Sequence, residues 1–170
     1  MGPYENALER LGITLPVAPK PVAAYVPFTV SHSGIVFVSG QLPFKDGKLI
    51  CTGAVPTAVS IEQATEAAKT CCLNALAVLK DACGGNIDRV GKILRIAVFV
   101  QSADGFDGQP KVANGASELL AAIFGDAGKH ARAAVGTNAL PLNATVELEL
   151  VAELRSTALH APTPPAIHHI

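Results

Sequence analysis

Tryptophan is absent from this 170-residue chain, methionine occurs once, and aromatic residues make up only 5% of it. A core without large rings has to be assembled from Ala, Val, Leu and Ile, a composition suited to close packing of helix on sheet. Charge is scarce as well. Thirteen Lys and Arg stand against fourteen Asp and Glu, a net charge of −1, and the basic residues form no run. Nucleic-acid binding draws its strength from many phosphate contacts, so that class of partner is not expected. No apolar stretch reaches the length of a bilayer, and no basic segment followed by an apolar region begins the chain. The expectation is a soluble, cytoplasmic protein with no membrane partner. What is present, 49% hydrophobic residues with 16% charged, suffices for one domain with a substantial core.

The four cysteines, Cys51, Cys71, Cys72 and Cys83, include no C-x-x-C pattern, and no histidine stands near enough in sequence to complete a zinc site. They read as reduced, small core residues, with a reactive thiol as the minority reading. His168 and His169 are too few to form a metal site. No metal is expected.

Along the chain, Pro3 to Leu11 has Pro in its first turn and Gly12 after it, the pattern of a short helix. Pro16, Pro19 and Pro21 then enforce extended backbone. Val22 to Val30 reads as a strand placed at an edge by Pro27, which cannot donate to a ladder. Ile35 to Ser39 is a continuous apolar run between Gly34 and Gly40, as expected of a strand buried on both faces. At its end, the glycine of Ser39-Gly40-Gln41-Leu42 permits unusual backbone angles or close approach of a ligand, and a simple bend is the alternative. Lys45-Asp46-Gly47-Lys48 reads as a hairpin turn. Ser60 and Gln63 have capping-box spacing at the head of a helix running to Cys83, whose buried side is unusually small: Ala64, Ala68, Cys71, Ala75. Val90 to Gln101 is a long strand with Leu94, Ile96, Val98 and Val100 on one face and Ile93, Arg95, Ala97, Phe99 and Gln101 on the other. Pro110 opens a second long helix, with Val112, Ala116, Leu119, Leu120 and Ile123 as its buried stripe, and Gly125 closes it. Arg155 to Ile170, rich in Ala, Pro, Thr and His, is expected to be a flexible tail.

The segment between them, His130 to Leu154, holds two strand-like runs around Pro141, each with one charge set among small or aliphatic neighbours: Arg132 and Glu147. Alternation puts Val146, Leu148 and Leu150 on one face and Glu147, Glu149 and Val151 on the other. Chain order suggests that the two runs form a hairpin. Arg132 and Glu147 are the leading site candidates, and a partly buried ion pair at a subunit contact is the competing reading. Two long helices between strands imply an α+β sandwich of two layers, a mixed sheet backed by two helices on one face. The other face, with no helix left to cover it, calls for a second copy related by rotation.

The residues Val38-Ser39-Gly40-Gln41-Leu42-Pro43, Asn74-Ala75-Leu76 with Leu79, Val98-Phe99-Val100, Asn114, Ala131-Arg132, Leu140-Pro141 and Val146-Glu147-Leu148-Glu149 occur in this order between about Val22 and Leu154. Together they resemble the Rid (YjgF/YER057c/UK114) family, whose founding activity is hydrolysis of reactive imines and enamines. The resemblance implies a chorismate mutase-like fold, assembly as a barrel-like homotrimer, and ligand clefts between subunits. It also implies that the last strand lies between the Ile35 strand and the Val90 strand, against the hairpin that chain order suggests. By the same resemblance, Arg132 binds a substrate carboxylate and Glu147 positions water or carries protons, these two being the catalytic residues. Tyr25, Ser39, Gly40 and Asn114 line the substrate site, and no metal or organic cofactor takes part. The implied ligand is a small carboxylate or 2-imino acid, hydrolysed to a 2-oxo acid and ammonium. A non-enzymatic carboxylate-binding protein is the alternative, and an endoribonuclease or translation inhibitor the less favoured one.

Several positions depart from the family's pattern. Ala23-Ala24 stands where Gly-Pro usually precedes the tyrosine, and Ala133 where a small polar residue commonly follows the arginine. The Asp104 to Lys111 loop and both ends are additional. The chain thus resembles a longer branch, divided as residues 1–21, an N-terminal extension with a short helix; 22–154, the Rid-like domain; and 155–170, the tail.

Overall fold

The computed structural model describes residues 1–18 and 25–155. Helix α1 (Pro3–Arg10) starts with Pro in its first turn and buries Tyr4, Ala7 and Leu8. The Asp88 carboxylate accepts hydrogen bonds from the N–H groups of Gly2 (2.8 Å) and Tyr4 (2.7 Å), donors that the first turn of a helix leaves unpaired. The boundary expected at residues 21 and 22 and the tail beyond Arg155 lie outside the described residues.

Strand β1 (Phe28–Val30) begins just after Pro27, so only the end of the expected Val22 to Val30 strand falls on described residues and pairs. It is followed by β2 (Ile35–Gln41) and a small hairpin of β3 (Phe44–Lys45) and β4 (Lys48–Leu49). Asp46 (φ 51°) and Gly47 (φ 77°) make its turn, the two positive φ values that match a hairpin's twist. Helix α2 (Ile61–Ala82) has both arms of the capping box: Gln63 N–H donates to Ser60 Oγ at 3.1 Å, and Ser60 N–H to Gln63 Oε1 at 3.0 Å. Then come β5 (Val90–Gln101), α3 (Gln109–Phe124), β6 (Ala131–Thr137) and β7 (Val146–Leu154). No helix among the described residues is long and apolar enough to cross a membrane.

The sheet order is β1-β2-β7-β5-β6. β7 runs antiparallel to both β2 and β5, and β5 pairs in parallel with β6. The two runs that chain order suggests as a hairpin are therefore separated by β5. Helices α2 and α3 supply the two crossovers, β2 to β5 and β5 to β6. A Cβ on Gly115 would collide with the Thr65 carbonyl oxygen, so this glycine lets α3 press against α2. Between helices and sheet lie Leu76, Leu79, Ile93, Ile96, Leu120, Leu148 and Leu150, all fully buried. Each stabilises the fold by about 1.5–3 kcal/mol.

Two expectations about burial are corrected. β2 is not buried on both faces: Val36 and Val38 are buried at 0% and 4%, but Phe37 between them is 51% exposed. Its apolar run reflects a face left open, not a second core. In β5, Ile93 belongs to the core side and is fully buried. A register shift between Ile93 and Arg95 inserts an extra residue and changes which side chains share a face.

Candidate functional site

Strand β6 ends the sheet, and Arg132 sits directly opposite Ile96 of β5. Paired residues point to the same side, so Arg132 leaves the sheet on the helix side and meets α3 at the rim. Its Nη1 donates to Asn114 Oδ1 at 2.9 Å and to Ser117 Oγ at 3.2 Å. Asn114 and Ser117 are three apart, hence on one side of α3. The guanidinium is exposed, and among the described residues its Nε and Nη2 have no hydrogen-bond partner and no carboxylate forms an ion pair with it. Behind Ser117 stands His130, half-buried, with Nε2 3.1 Å from Ser117 Oγ and Nδ1 2.6 Å from the Gly128 carbonyl oxygen.

Glu147 belongs to the other side. It pairs with Phe99, which pairs in turn with Val135 of β6, and this register carries all three to the face without helices. β2 bulges between Val38 and Gln41, placing Ser39 and Gly40 beside the end of β7. A Cβ on Gly40 would collide with Glu147 Oε1. The glycine's value here is the space it leaves for the carboxylate, not a left-handed backbone, since Gly40 is not among the residues with positive φ. Burial, with a smaller contribution from the charge of Glu149, raises the Glu147 carboxyl pKa above its ordinary value.

Ser39 ties the preceding segment to the sheet. Its Oγ donates to the Val26 carbonyl at 2.7 Å and its N–H to the Pro27 carbonyl at 2.9 Å. Tyr25, half exposed, thereby comes to line a shallow groove with Phe37, Ser39 and Val151. The carboxylate lining that groove is Glu149, not Glu147. Asn74 braces the turn after the bulge, donating to the carbonyls of Leu42 (2.9 Å) and Phe44 (3.0 Å).

One chain thus holds two candidate half-sites. Arg132 and Asn114 are together at the β6 rim; Ser39, Gly40 and Glu147 are together on the open face, with Tyr25 nearby. Arg132 and Glu147 do not meet within the chain. Two further residues join this cluster, Ser117 and His130, neither of which has a role assigned from the sequence. The available signal was the Asn114/Ser117 spacing on a helix that precedes the arginine.

The cysteines take no part in either half-site. Cys71, Cys72 and Cys83 are buried and all four are unpaired. Burial pushes the Cys72 thiol up to about 12 and that of Cys83 to about 11, the opposite of what a reactive thiolate needs. Among the described residues no group of three or more His, Cys, Asp or Glu side chains is placed to hold a metal ion.

Comparison with known proteins agrees with this architecture. The family model described as "YjgF/chorismate mutase-like, putative endoribonuclease" matches residues 5–154. Protein TCP17 of Trypanosoma cruzi is 39% identical over 150 residues, covering 88% of this chain and 92% of that protein. The crystal structure of Atu1372 from Agrobacterium tumefaciens, 44% identical, superposes with a TM-score of 0.82 over 89% of this chain and 92% of that one. A Shewanella oneidensis protein described as a putative endoribonuclease, 33% identical, gives 0.85 over 90% and 100%. The chain belongs to the YjgF/chorismate mutase-like (Rid) family.

Proposed function

We propose that the protein is a RidA-like imine deaminase that hydrolyses small 2-imino acids to 2-oxo acids and ammonium, in clefts completed between the copies of a homotrimer. The observation that carries this reading is the state of Arg132. Its Nη1 is held by Asn114 and Ser117 while the Nε–Nη2 edge has no partner among the described residues. That edge is the planar fork that grips a carboxylate with two parallel hydrogen bonds, which a lysine cannot reproduce. The open sheet face, with Phe37 at 51% and Val135 at 46% exposure, is the surface that a second copy covers. The same contact brings a neighbour's Glu147 to the Arg132 rim.

In such a cleft, Arg132 fixes the substrate carboxylate and Glu147 accepts a proton from water as its oxygen bonds to the imine carbon. The C=N π pair moves to nitrogen, which takes up a proton, and the product is a carbinolamine. Glu147, having passed that first proton on to the nitrogen, accepts the hydroxyl proton while the amino group, protonated from solvent, leaves as ammonia with the C–N electron pair and takes up the proton from Glu147 to become ammonium. Imines of this kind hydrolyse in water unaided, so orientation and proton transfer are enough to accelerate the reaction. The Ser39 hydroxyl is engaged with the Val26 carbonyl, and the reaction needs no covalent nucleophile.

The test is release of ammonium from 2-iminobutyrate generated in solution. The expected outcome is acceleration over buffer by the wild type and loss of about 100-fold or more in Arg132→Ala, with Arg132→Lys restoring little. No acceleration by the wild type across a panel of imines refutes the enzymatic reading. Binding of 2-oxobutyrate without turnover then supports the carboxylate-binding alternative. Degradation of RNA by a nuclease-free preparation, lost in Arg132→Ala, would instead support the endoribonuclease description that the family carries.

A further inference from the structure

The chain of contacts behind Arg132 continues past the clamp. The Gly128 carbonyl oxygen can only accept, so His130 Nδ1 carries a hydrogen and donates to it at 2.6 Å. In the neutral ring Nε2 is then an acceptor, and the Ser117 hydroxyl donates to it at 3.1 Å. Ser117 Oγ in turn accepts from Arg132 Nη1 at 3.2 Å. All three groups are satisfied by this single arrangement. Ser117 comes from α3, His130 and Arg132 flank the start of β6, and Gly128 lies in the 3-10 turn Gly125–Gly128. A Cβ on Gly128 would collide with the Leu120 carbonyl, so the turn is pressed against α3 and the imidazole is held from behind.

We propose that His130 and Ser117 are positioning residues that couple carboxylate binding at Arg132 to uptake of a proton by His130. This rests on the carboxylate-clamp reading of Arg132 and adds a regulation to it. A second proton on the imidazole makes Nε2 a donor, so Ser117 Oγ receives hydrogen bonds from two cationic groups and its own hydrogen turns away. Without an anion, two positive charges then lie two hydrogen bonds apart. A carboxylate on the Nε–Nη2 edge offsets that repulsion and favours the charged ring. Linkage makes the effect reciprocal: a protonated His130 raises carboxylate affinity, and affinity falls as pH rises.

The other charges around the ring are few. Lys129 and Asp126 on the same turn pair with each other at 2.7 Å and are largely exposed. Glu118, next to Ser117, lines a separate groove with Thr65, Glu66 and Lys69. Arg95 is opposite Ala131 and points to the other face of the sheet from Arg132. The remaining titrating group is a neighbour's Glu147 in the assembled cleft. Its neutralisation also favours an anion as pH falls, so it has to be removed from the measurement.

The experiment is calorimetry of 2-oxobutyrate binding to the full chain carrying Glu147→Gln, between pH 5.5 and 8 and in buffers of different ionisation enthalpy. The expected result is net proton uptake on binding and an affinity that falls about five-fold or more across the range. Adding His130→Gln, whose amide oxygen can accept from the Ser117 hydroxyl but which cannot take up a proton, abolishes the uptake and flattens the profile while binding persists. Adding Ser117→Ala reduces both effects. Binding with no proton uptake, or uptake unchanged by His130→Gln, overturns the coupling and leaves the clamp intact. No binding at any pH, with Glu147 present or replaced, overturns the clamp, and the coupling with it.

Discussion

The helix-covered face of the sheet and its open face are built from the same strands, yet they are organised for different ends. On the covered side Val36, Val38, Leu148 and Leu150 pack against α2 and are buried to within a few per cent. On the open side, alternate residues of those strands are Phe37, Ser39, Glu147 and Glu149, and Phe37 is left 51% exposed. One face is settled by its own helices. The other is left open in the single chain, and it carries Ser39, Gly40 and Glu147.

The sharpest way to break this comparison is to remove apolar side chains from each face in turn. Leu148→Ala leaves a void in a core without slack and is expected to destabilise the protein by about 2–5 kcal/mol, read from urea denaturation. Phe37→Asp, one strand away, is expected to cost the isolated chain about 1 kcal/mol or less, yet to abolish assembly by adding a carboxylate beside Glu149. Sedimentation velocity reads the second outcome. If Phe37→Asp leaves the assembly unchanged, the open face is not the surface that copies share.

The second test lies within the open half-site. Gly40→Ala puts a methyl group in collision with Glu147 Oε1. The displaced atoms are the end of a flexible side chain, so the fold is expected to lose about 1 kcal/mol or less, whereas turnover falls about 10- to 100-fold because the carboxylate is moved by an ångström or more. Affinity for 2-oxobutyrate, which the proposal assigns to Arg132, should change far less than turnover. A fall in affinity equal to the fall in turnover would mean that the two half-sites are not divided as described.

The sequence disclosed the covered face far better than the open one. The capping box at Ser60 and Gln63, the stripe on α3 and the alternation of β7 all follow from local rules, and each appears in the structure. The extra residues in β2 and β5 were not legible, because a bulge depends on what the neighbouring strand offers opposite. They decide that Ile93 joins the core and that Gly40 abuts Glu147. Chain order favoured a hairpin of β6 with β7, and only the family resemblance placed β7 between β2 and β5. Arg132 and Glu147 stood out as charges among small residues. That they leave the sheet on opposite sides could not be read, since the side on which Arg132 emerges is fixed by its pairing with Ile96. Ser117 and His130 were missed for a related reason: their meaning lies in a contact between α3 and the start of β6.

The smallest expected effect concerns the pH dependence of stability. The folded-state pKa of Glu147 is raised above its ordinary value of 4.5 by burial and by Glu149. A raised carboxyl pKa contributes stability that is fully present below the unfolded value and is lost as pH rises through the folded one. Glu147→Gln removes this dependence. The variant is therefore expected to match the wild type near pH 4 and to gain on it as pH rises toward neutrality, a difference readable as a shift in the denaturation midpoint. An advantage that does not change with pH would mean that Glu147 ionises as freely in the fold as in the unfolded chain. Assembly sharpens the test further. In the proposed cleft a neighbour's Arg132 stabilises the charged carboxylate, so the gain should be larger in the Phe37→Asp background, where that neighbour is gone, than in the assembled protein. Equal gains in the two backgrounds would separate Glu147 from Arg132 in the assembly as they are separated in the chain.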